Sequence, residues 1–495
     1  MKKTSPWVIL LAVSLVSVVI GKAQEIGFEF YLETDYDEQP FDFARSADGN
    51  FVGLVHKAPQ TGGAYIYNTY LYTIGLEGDT MSVKYSKEDT IFNFYDIDRL
   101  STSPTGFLLS GWGYRTGESP NHPFIIIRRI NDAFETVWEK TYLFNDYFFG
   151  STMSDALELV NGDLLFACNP FDANDMFVLR LSGHGDSLDC MAYSGEDAGV
   201  VYGLTYSPDS MSVWLHTQWA HYASGDSACT VISLNEALEQ TEYYYYPNYL
   251  TTPYSSLCYP GEKLLTGGTY NRYNPYTHIQ SDMISAYLLD TLLNETHEVL
   301  LTNPDTLSRA GEIQGIDYYY PGCIYLGGTH NRQWQTGNQP SWIYITKLND
   351  TLGVEYEKYL GGDYYYWLFT VTAATDGGVL LTGFRQEISP AIFERDGFFI
   401  KLDSTGCLTQ NPENSTITIS DAIVYPNPGS KYIHIRTALK GCTFYLYDEL
   451  GNQVLIKPLD SLVTTVNTNM LVRGSYFYSV LNNTTKIISG TWIKN

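Results

Sequence analysis

The chain has 495 residues, of which 55 are acidic and 29 are basic, so its formal net charge is −26. Such a charge repels phosphate backbones, and nucleic acid is therefore excluded as an expected partner. Seven cysteines, an odd number without zinc-type spacing, argue against a disulfide-stapled or zinc-bound module. A chain of this length can bury a large apolar core without such crosslinks.

The first predicted element is an apolar segment that follows two lysines. The apolar run covers 7–20, and Gly21 and Ala23 supply small residues where a signal peptidase reads the chain. We predict a signal peptide over 1–23 that is cleaved between Ala23 and Gln24, with passage through the periplasm. No later stretch reaches 18 apolar residues, so no transmembrane segment is expected.

A unit of about 55 residues then repeats seven times, which is the kind of period that repeat architectures produce. Each unit contains one apolar strand pattern that ends in small residues and a later one that ends in a turn. The first pattern ends at Gly53, Gly111, Cys168, Thr217, Gly267, Gly327 and Gly383. The second pattern ends at Ile74, Ile130, Leu181, Leu234, Leu289, Leu348 and Leu402.

Each unit holds four short strand patterns and no amphipathic helix, which is typical of a β-propeller blade. We therefore predict an all-β fold with a seven-bladed β-propeller over 24–407, while six or eight blades stay open because terminal units are often irregular. The seventh unit lacks a good fourth strand, and residues 27–33 have the missing pattern. We predict that 27–33 pairs with the 397–402 strand and closes the last blade.

The composition changes near residue 421. Residues 408–421 are rich in Ser, Thr and Asn and are predicted to form a linker. Residues 422–495 carry seven basic and only three acidic residues, in contrast to the acidic part before them. Short alternating strands in this segment predict a small immunoglobulin-like β-sandwich.

Four ordered motifs stand in this last segment: VYPNP at 424–428, FYLYDELGNQV at 444–454, LVRGSYFYSV at 471–480 and SGTWIKN at 489–495. Together they resemble the type A C-terminal sorting domain of the type IX secretion system of Bacteroidota. The predicted sorting-signal residues are Pro426, Asn427, Pro428, Asp448, Gly451, Gly474, Tyr476, Gly490 and Lys494. The propeller repeats loosely resemble degenerate Kelch-like repeats.

The resemblance implies recognition by the outer-membrane translocon, removal of the domain by a sortase-like peptidase and attachment of the mature protein to surface lipopolysaccharide. The protein is thus expected to be secreted or held at the cell surface. Thr491 follows Gly490 where the family frequently has Lys, which leaves cleavage and anchoring open. The alternative is an ordinary accessory domain without a role in export.

The sequence offers no convincing catalytic constellation. HExxH and G-x-S-x-G are absent, so neither a zinc protease nor an esterase elbow is predicted. We expect no catalytic residues, no metal site and no cofactor. Calcium at the acidic patches 35–38 and 172–175 is the weaker alternative, with solvated loop acids preferred. A hydrolase of polysaccharide or peptide with its site at the propeller mouth is the rival function.

Tyrosine is the most distinctive part of the composition, with 42 residues, many of them after the predicted fourth strands. If the connections between blades share one face, these rings would surround one channel mouth and bind an unknown protein or carbohydrate ligand. The candidate ligand-binding residues are Tyr147, Tyr244, Tyr245, Tyr365 and Trp367. The alternative is that the rings pack between blades. The expected function is binding or display.

Overall fold

The computed structural model describes residues 27–32, 36–59, 68–85, 90–101, 105–115, 124–143, 149–170, 175–193, 199–221, 226–235, 237–246, 250–274, 279–302, 307–332, 339–388, 395–408, 422–425, 431–437, 441–448, 451–459, 463–482 and 485–494. These residues form strands and no helix. No helix capable of crossing a membrane is therefore found among them. The predicted signal peptide with its Ala23–Gln24 cleavage site, and nearly all of the predicted linker, lie outside the described residues.

Seven antiparallel sheets are built from residues 28–402. The strands of the first four sheets are β2 (Tyr36–Arg45), β3 (Phe51–Pro59), β4 (Asn68–Ile74) and β5 (Thr80–Lys84); β6 (Thr90–Leu100), β7 (Gly106–Arg115), β8 (Phe124–Asn131) and β9 (Thr136–Tyr142); β10 (Phe149–Glu158), β11 (Leu164–Pro170), β12 (Met176–Leu181) and β13 (Ser187–Tyr193); and β14 (Val200–Tyr206), β15 (Val213–His221), β16 (Asp226–Leu234) and β17 (Gln240–Tyr245).

The remaining three sheets follow the same order, with two variations. Their strands are β18 (Leu250–Tyr259), β19 (Lys263–Asn274), β20 (Ile279–Leu289) and β21 (Glu295–Leu301); β22 (Ser308–Ala310), β23 (Ile316–Tyr318), β24 (Ile324–His330), β25 (Trp342–Leu348) and β26 (Val354–Gly361); and β27 (Tyr365–Ala373), β28 (Val379–Gln386) and β29 (Arg395–Leu402) with β1 (Phe28–Leu32). The innermost strand of the sixth sheet is split into β22 and β23, and the seventh sheet takes its outermost strand from the start of the chain.

The innermost strands contact one another in a closed cycle. β2 contacts β6, β6 contacts β10, β10 contacts β14, β14 contacts β18, β18 contacts β23, β23 contacts β27, and β27 contacts β2. Strands inside each sheet are buried on both faces, as in β24, whereas all five residues of the outermost strand β5 are exposed. Burial on both faces means that each sheet packs between two neighbours. This is the arrangement of a β-propeller.

A single turn type joins the third and fourth strands of most sheets. The first residue, such as Asn235, accepts hydrogen bonds from the backbone N–H groups two and four positions later. The fourth residue is left-handed, and in four sheets it is a non-glycine residue such as Leu238 (φ 58°) or Leu352 (φ 58°). This conformation costs about 1–2 kcal/mol for an L-residue. Both leucine side chains are nevertheless buried, and this burial offsets the strain.

The seventh sheet joins the two ends of the propeller body. β1 pairs antiparallel with β29, from Phe28 opposite Lys401 to Leu32 opposite Gly397. The ring of Phe30 stacks on Phe399 with 4.6 Å between centroids. The Arg385 guanidinium lies 3.8 Å from the Tyr31 ring centroid. β1 lies within the segment 27–33 that the sequence predicts beside the 397–402 strand, and it pairs with β29 there.

The C-terminal domain is a separate pair of sheets. Its strands are β30 (Ala422–Tyr425), β31 (Tyr432–Thr437), β32 (Cys442–Tyr447), β33 (Gln453–Leu459), β34 (Val463–Asn467), β35 (Gly474–Asn482) and β36 (Thr485–Lys494). One sheet has the order β30-β31-β34 and the other β33-β32-β35-β36. Side chains of both sheets, among them Ile433, Phe444 and Trp492, share one core.

We expect Phe30→Asp to destabilise the propeller by about 2 kcal/mol or more, because it places a carboxylate against the fully buried Phe399. Val83→Asp is the matched control, since Val83 lies on the outermost strand of the first sheet and is 44% exposed. Urea unfolding followed by tryptophan fluorescence measures both. Equal midpoints for the two variants would contradict a structural role for the β1–β29 contact.

Candidate functional site

A cavity of about 490 Å³ lies at the centre of the cycle of strands. All seven sheets contribute to its wall, for example through Asp42, Asp96, Asp155, Leu204, Ser255, Gln314 and Thr372. The lining residues belong to the later parts of the innermost strands, such as residues 96–99 of β6 and 254–258 of β18. The cavity therefore lies toward the face where the innermost strands end and turn into the second strands.

Backbone irregularities lie at or just before the lining residues in six innermost strands. The pairing register shifts between Pro40 and Phe43 in β2 and between Phe94 and Asp96 in β6. Similar shifts occur in β10, β14, β18 and β27. A bulge bends its strand and re-aims the side chains that follow. The shifts place polar side chains between neighbouring innermost strands.

A repeated hydrogen bond connects each of several innermost strands to the next. The Oδ2 atom of Asp42 accepts from Ile97 N–H at 3.0 Å, and Oδ2 of Asp155 accepts from Leu204 N–H at 2.5 Å. The fifth sheet makes the equivalent contact through a hydroxyl, with Ser255 Oγ accepting from Gly315 N–H. Each bond satisfies a backbone donor that packing removes from water.

The sixth sheet makes the same contact with a counter-charge beside it. Asp317 Oδ2 accepts from Ala373 N–H at 2.8 Å, while its Oδ1 lies 3.6 Å from Arg45 Nη2. Arg45 also donates to the carbonyl oxygens of Tyr318 and Ala373. This pair therefore connects the first, sixth and seventh sheets.

Four carboxyl groups gather on the opposite side of the cavity. Side-chain oxygens of Asp96, Asp98 and Asp155 all lie within 4.8 Å of one another, and Asp42 is close enough that its charge raises the pKa of Asp96. Asp42 is 6% and Asp96 8% exposed. Since like charges this close repel strongly when water is excluded, the arrangement is costly unless protons or a cation reduce its charge. We call these four residues the carboxyl cluster.

The carboxyl cluster has strongly perturbed acidity. Burial is the largest cause in every case: it raises the pKa of Asp42 to about 6 and that of Asp155 to about 7, against backbone hydrogen bonds that lower them. The pKa values of Asp96 and Asp98 lie well above the ordinary range, because burial is reinforced by the neighbouring carboxylates. Groups of this kind can hold a proton near neutral pH, and the same oxygens are suited to a hard cation.

The described residues of the first acidic patch considered for calcium lie on a strand and not in a loop. Asp37 and Glu38 lie on β2 and are buried, not solvated as expected. Asp37 Oδ1 is 3.5 Å from Arg395 Nε, and Glu38 Oε1 is 3.7 Å from Lys57 Nζ. Basic side chains thus take the place where a cation would have to bind. Most of the 172–175 patch lies outside the described residues.

The four described aromatic candidates lie at two places, on the innermost strand β27 and on the outermost strand β17. Tyr365 is 4% exposed and belongs to an aromatic cluster around Phe41 and Phe369. Trp367 packs against the same cluster on β27. Tyr244 and Tyr245 lie on β17, the outermost strand of the fourth sheet, and Tyr245 is 63% exposed. Tyr147 lies outside the described residues.

Trp367 is held by two charged neighbours. The Arg332 guanidinium carbon lies 3.7 Å from the Trp367 ring centroid, and the indole Nε1–H donates to Glu312 Oε2 at 3.0 Å. Glu312 Oε1 is 2.6 Å from Arg332 Nη1. The three side chains therefore interlock between the sixth and seventh sheets, where a cation–π contact and an ion pair reinforce each other.

Six of the predicted sorting residues lie in the described part of the C-terminal domain, and three do not. Asp448 and Gly451 form a hairpin turn in which Asp448 Oδ1 accepts from Asn452 N–H, and Gly451 takes a left-handed φ of 83°. Tyr476 is buried, and its hydroxyl donates to the Val472 carbonyl oxygen. In the pairing of β35 with β36, Gly474 lies opposite Lys494 and Tyr478 opposite Gly490. Residues 426–428 lie outside the described residues.

Residues 423–494 match the family model of the secretion system C-terminal sorting domain. The chain ends in a sorting domain for type IX secretion. Export to the cell surface or beyond follows from the presence of this sorting domain. Among curated proteins, none matches the sequence.

Several solved structures are similar to the chain at low identity. Puromycin hydrolase is 12% identical with a TM-score of 0.42, and the match covers 89% of this chain and 58% of that one. PorZ, a surface component of the type IX secretion system of Porphyromonas gingivalis, is 10% identical (TM-score 0.28, coverage 90% and 74%). The β-propeller domain of the Trilobed protease from Pyrococcus furiosus is 9% identical (TM-score 0.39, coverage 78% and 98%). The chain spans 58% of the length of puromycin hydrolase.

We expect Asp317→Ala to lower the free energy of unfolding by about 2–4 kcal/mol, because it leaves the buried Ala373 N–H and Arg45 without their carboxylate. Asp132→Ala is the control, since the ion pair of Asp132 with Arg99 is partly exposed and should contribute about 1 kcal/mol or less. Urea unfolding measures both. A loss for Asp317→Ala no larger than that of the control would show that the contact between sheets does not hold the ring together.

Proposed function

We propose that the protein is exported through the type IX secretion system and acts outside the cell, or on its surface, as a binding or display protein. In this proposal the signal peptide over 1–23 delivers the chain to the periplasm, and the translocon recognises the immunoglobulin-like sandwich of residues 422–495. The observation that carries the proposal is the sorting-domain match over 423–494. A sortase-like peptidase would then remove the domain. The mature protein would be either attached to surface lipopolysaccharide or released.

The seven sheets are proposed to be the blades of a seven-bladed propeller with β1 as its closing strand. The pairing of β1 with β29 and the closed cycle of innermost-strand contacts support this. Such a rigid ring presents loops and a channel opening without moving parts. This suits a module whose task is to hold a ligand.

The ligand is proposed to be a protein or a carbohydrate bound on an exposed face. Among the described members of the aromatic set, Tyr245 on β17 is exposed and the neighbouring Tyr244 is half-buried. Trp367 is half-buried and could contribute an edge, whereas Tyr365 is buried and would bind only after displacement of its neighbours. An acidic body favours ligands with basic or neutral surfaces.

A hydrolase is the second candidate, and one observation favours it. Asp98 and Asp155 lie in a cavity with carboxyl oxygens within 4.8 Å, and their pKa values are raised, as an acid catalyst requires. Glycosidases use two carboxyl groups about 5–9 Å apart, which is wider than this cluster. The spacing therefore favours binding over hydrolysis.

We expect deletion of residues 422–495 to leave the protein in the periplasm of a host with a type IX system. The measurement is cell fractionation with intact-mass analysis of the mature protein. Trp492→Ala is a sharper variant, because Trp492 is fully buried in the sorting-domain core and its loss should reduce delivery without removing the segment. Val83→Asp in the propeller is the control and should be delivered normally. Unchanged delivery of the truncated protein would refute the export proposal.

We expect Tyr245→Ala to weaken binding of a glycan or protein found by array screening several-fold, because an exposed ring supplies contact area. Tyr36→Ala, on the innermost strand β2 and 44% exposed, is the matched control. If the protein instead hydrolyses any array member, and Asp98→Asn abolishes that hydrolysis, the protein is a hydrolase. Binding that neither tyrosine variant changes would remove the β17 surface from consideration.

A further inference from the structure

One oxygen of the carboxyl cluster lacks a partner. The Oδ2 atom of Asp98 is shielded from solvent and has no hydrogen-bond partner among the described residues, although Asp98 lines the central cavity. Asp42 and Asp155 differ in this respect, because both oxygens of each accept backbone N–H groups. Removing a carboxylate oxygen from water without giving it a partner is costly. The Asp98 oxygen therefore calls for a partner that the neighbouring side chains do not supply.

Carboxylates of two neighbouring sheets converge at this part of the cavity wall. Asp96 and Asp98 are two positions apart on β6, so their side chains leave the strand on the same face. With Asp155 of β10 they form a set in which one oxygen of each residue lies within 4.8 Å of the other two. Oxygens that bind one calcium ion at about 2.4 Å lie at most about 5 Å apart. The three carboxylates are therefore within reach of a single ion.

The basic side chains of the cavity wall are paired elsewhere. Arg45 forms an ion pair with Asp317 and donates to two backbone carbonyl oxygens. Arg99 forms an ion pair with Asp132. No other basic residue is found among the described residues that line the cavity. A bound cation would supply the positive charge that these side chains do not provide at the carboxyl cluster.

The cavity also offers what the rest of a coordination shell needs. Ser154, next to Asp155 on β10, lines the cavity, and its Oγ lies 3.4 Å from the Ser110 hydroxyl that donates to Asp96. The volume of about 490 Å³ leaves room for several water molecules. Calcium accepts irregular sets of oxygens, whereas magnesium requires a nearly regular octahedron. Because β6 and β10 are fixed by pairing within their own sheets, their carboxylates are not free to rearrange, and calcium is favoured.

We propose that Asp96, Asp98 and Asp155 bind a calcium ion in the central cavity, with water and the Ser154 hydroxyl available to complete its shell. The ion gives the buried Asp98 oxygen its partner and compensates the like charges of the three carboxylates. Two ligands lie on β6 and one on β10, so the ion links the second and third sheets. The proposal concerns the propeller alone and does not rest on the proposed export or on the proposed binding of a protein or carbohydrate.

The test uses the full-length chain, freed of metal by a chelator, in calorimetric titration with calcium and in terbium luminescence. Tyr202 and Tyr254 line the same cavity, and their rings can transfer excitation to a terbium ion bound in place of calcium. We expect one saturable site from which calcium displaces terbium. We also expect the urea unfolding midpoint to rise with calcium concentration, because the ion binds the folded chain and not the unfolded one.

Asp98→Asn should weaken calcium binding by about tenfold or more, because it keeps the shape of the side chain and removes the charge of one ligand. Asp189→Asn is the matched control, since Asp189 is an exposed residue of β13, the outermost strand of the third sheet. Its amide oxygen can keep the contact with Cys190 N–H. The control loses the same charge and should bind calcium like the unchanged protein.

If Asp98→Asn does not fold, Asp96→Asn takes its place, because its amide oxygen can still accept from Ser110 Oγ. Equal calcium affinity in the cluster variant and in Asp189→Asn overturns the proposal, since calcium would then bind only loosely to the acidic surface. The unchanged protein gives a second decision. Absence of a saturable site, or an equal rise of the unfolding midpoint with the same concentration of magnesium, also overturns it.

Discussion

The contact between successive innermost strands is the constraint on which the rest of the propeller depends. The interior strands of a sheet, such as β24, are buried on both faces, so each sheet is stable only between two neighbours. The cycle from β2 through β27 and back to β2 gives every sheet both neighbours. Because the cycle closes, a break at any one contact exposes apolar surface on two sheets.

Polar groups fix the register in which successive innermost strands contact one another. Backbone N–H groups of Ile97, Leu204 and Ala373 would be buried without partners if the strands merely touched. An aspartate of the preceding sheet meets each of them, so a slip by one residue would lose both the bond and the burial. The carboxyl cluster arises where three innermost strands that carry such aspartates, β2, β6 and β10, lie side by side. What looks like an active site is thus, in the first place, a consequence of how the ring is fastened.

Much of this fold could be predicted from the sequence, because the repeat period and the strand patterns are formed by residues that are close together in the chain. The marker strands ending at Ile130 and Leu348 are third strands β8 and β25, and the match of 423–494 agrees with the motif-based assignment. The site was missed because it depends on contacts between residues more than 40 apart in sequence, such as Asp42 with Ile97. One signal was present: an aspartate between apolar residues in a strand pattern, as in Phe41-Asp42-Phe43 and Tyr95-Asp96-Ile97. Aligning the units on their first strands would have collected these residues.

Hydrogen–deuterium exchange of the Ile97, Leu204 and Ala373 amides tests the role of the contacts between innermost strands most directly. If these bonds hold the ring together, the three amides exchange only through global unfolding and are as protected as the interior strands β8 and β25. Exchange of these amides by local opening, while β8 and β25 stay protected, would show that the ring is held by apolar packing alone and would contradict the account.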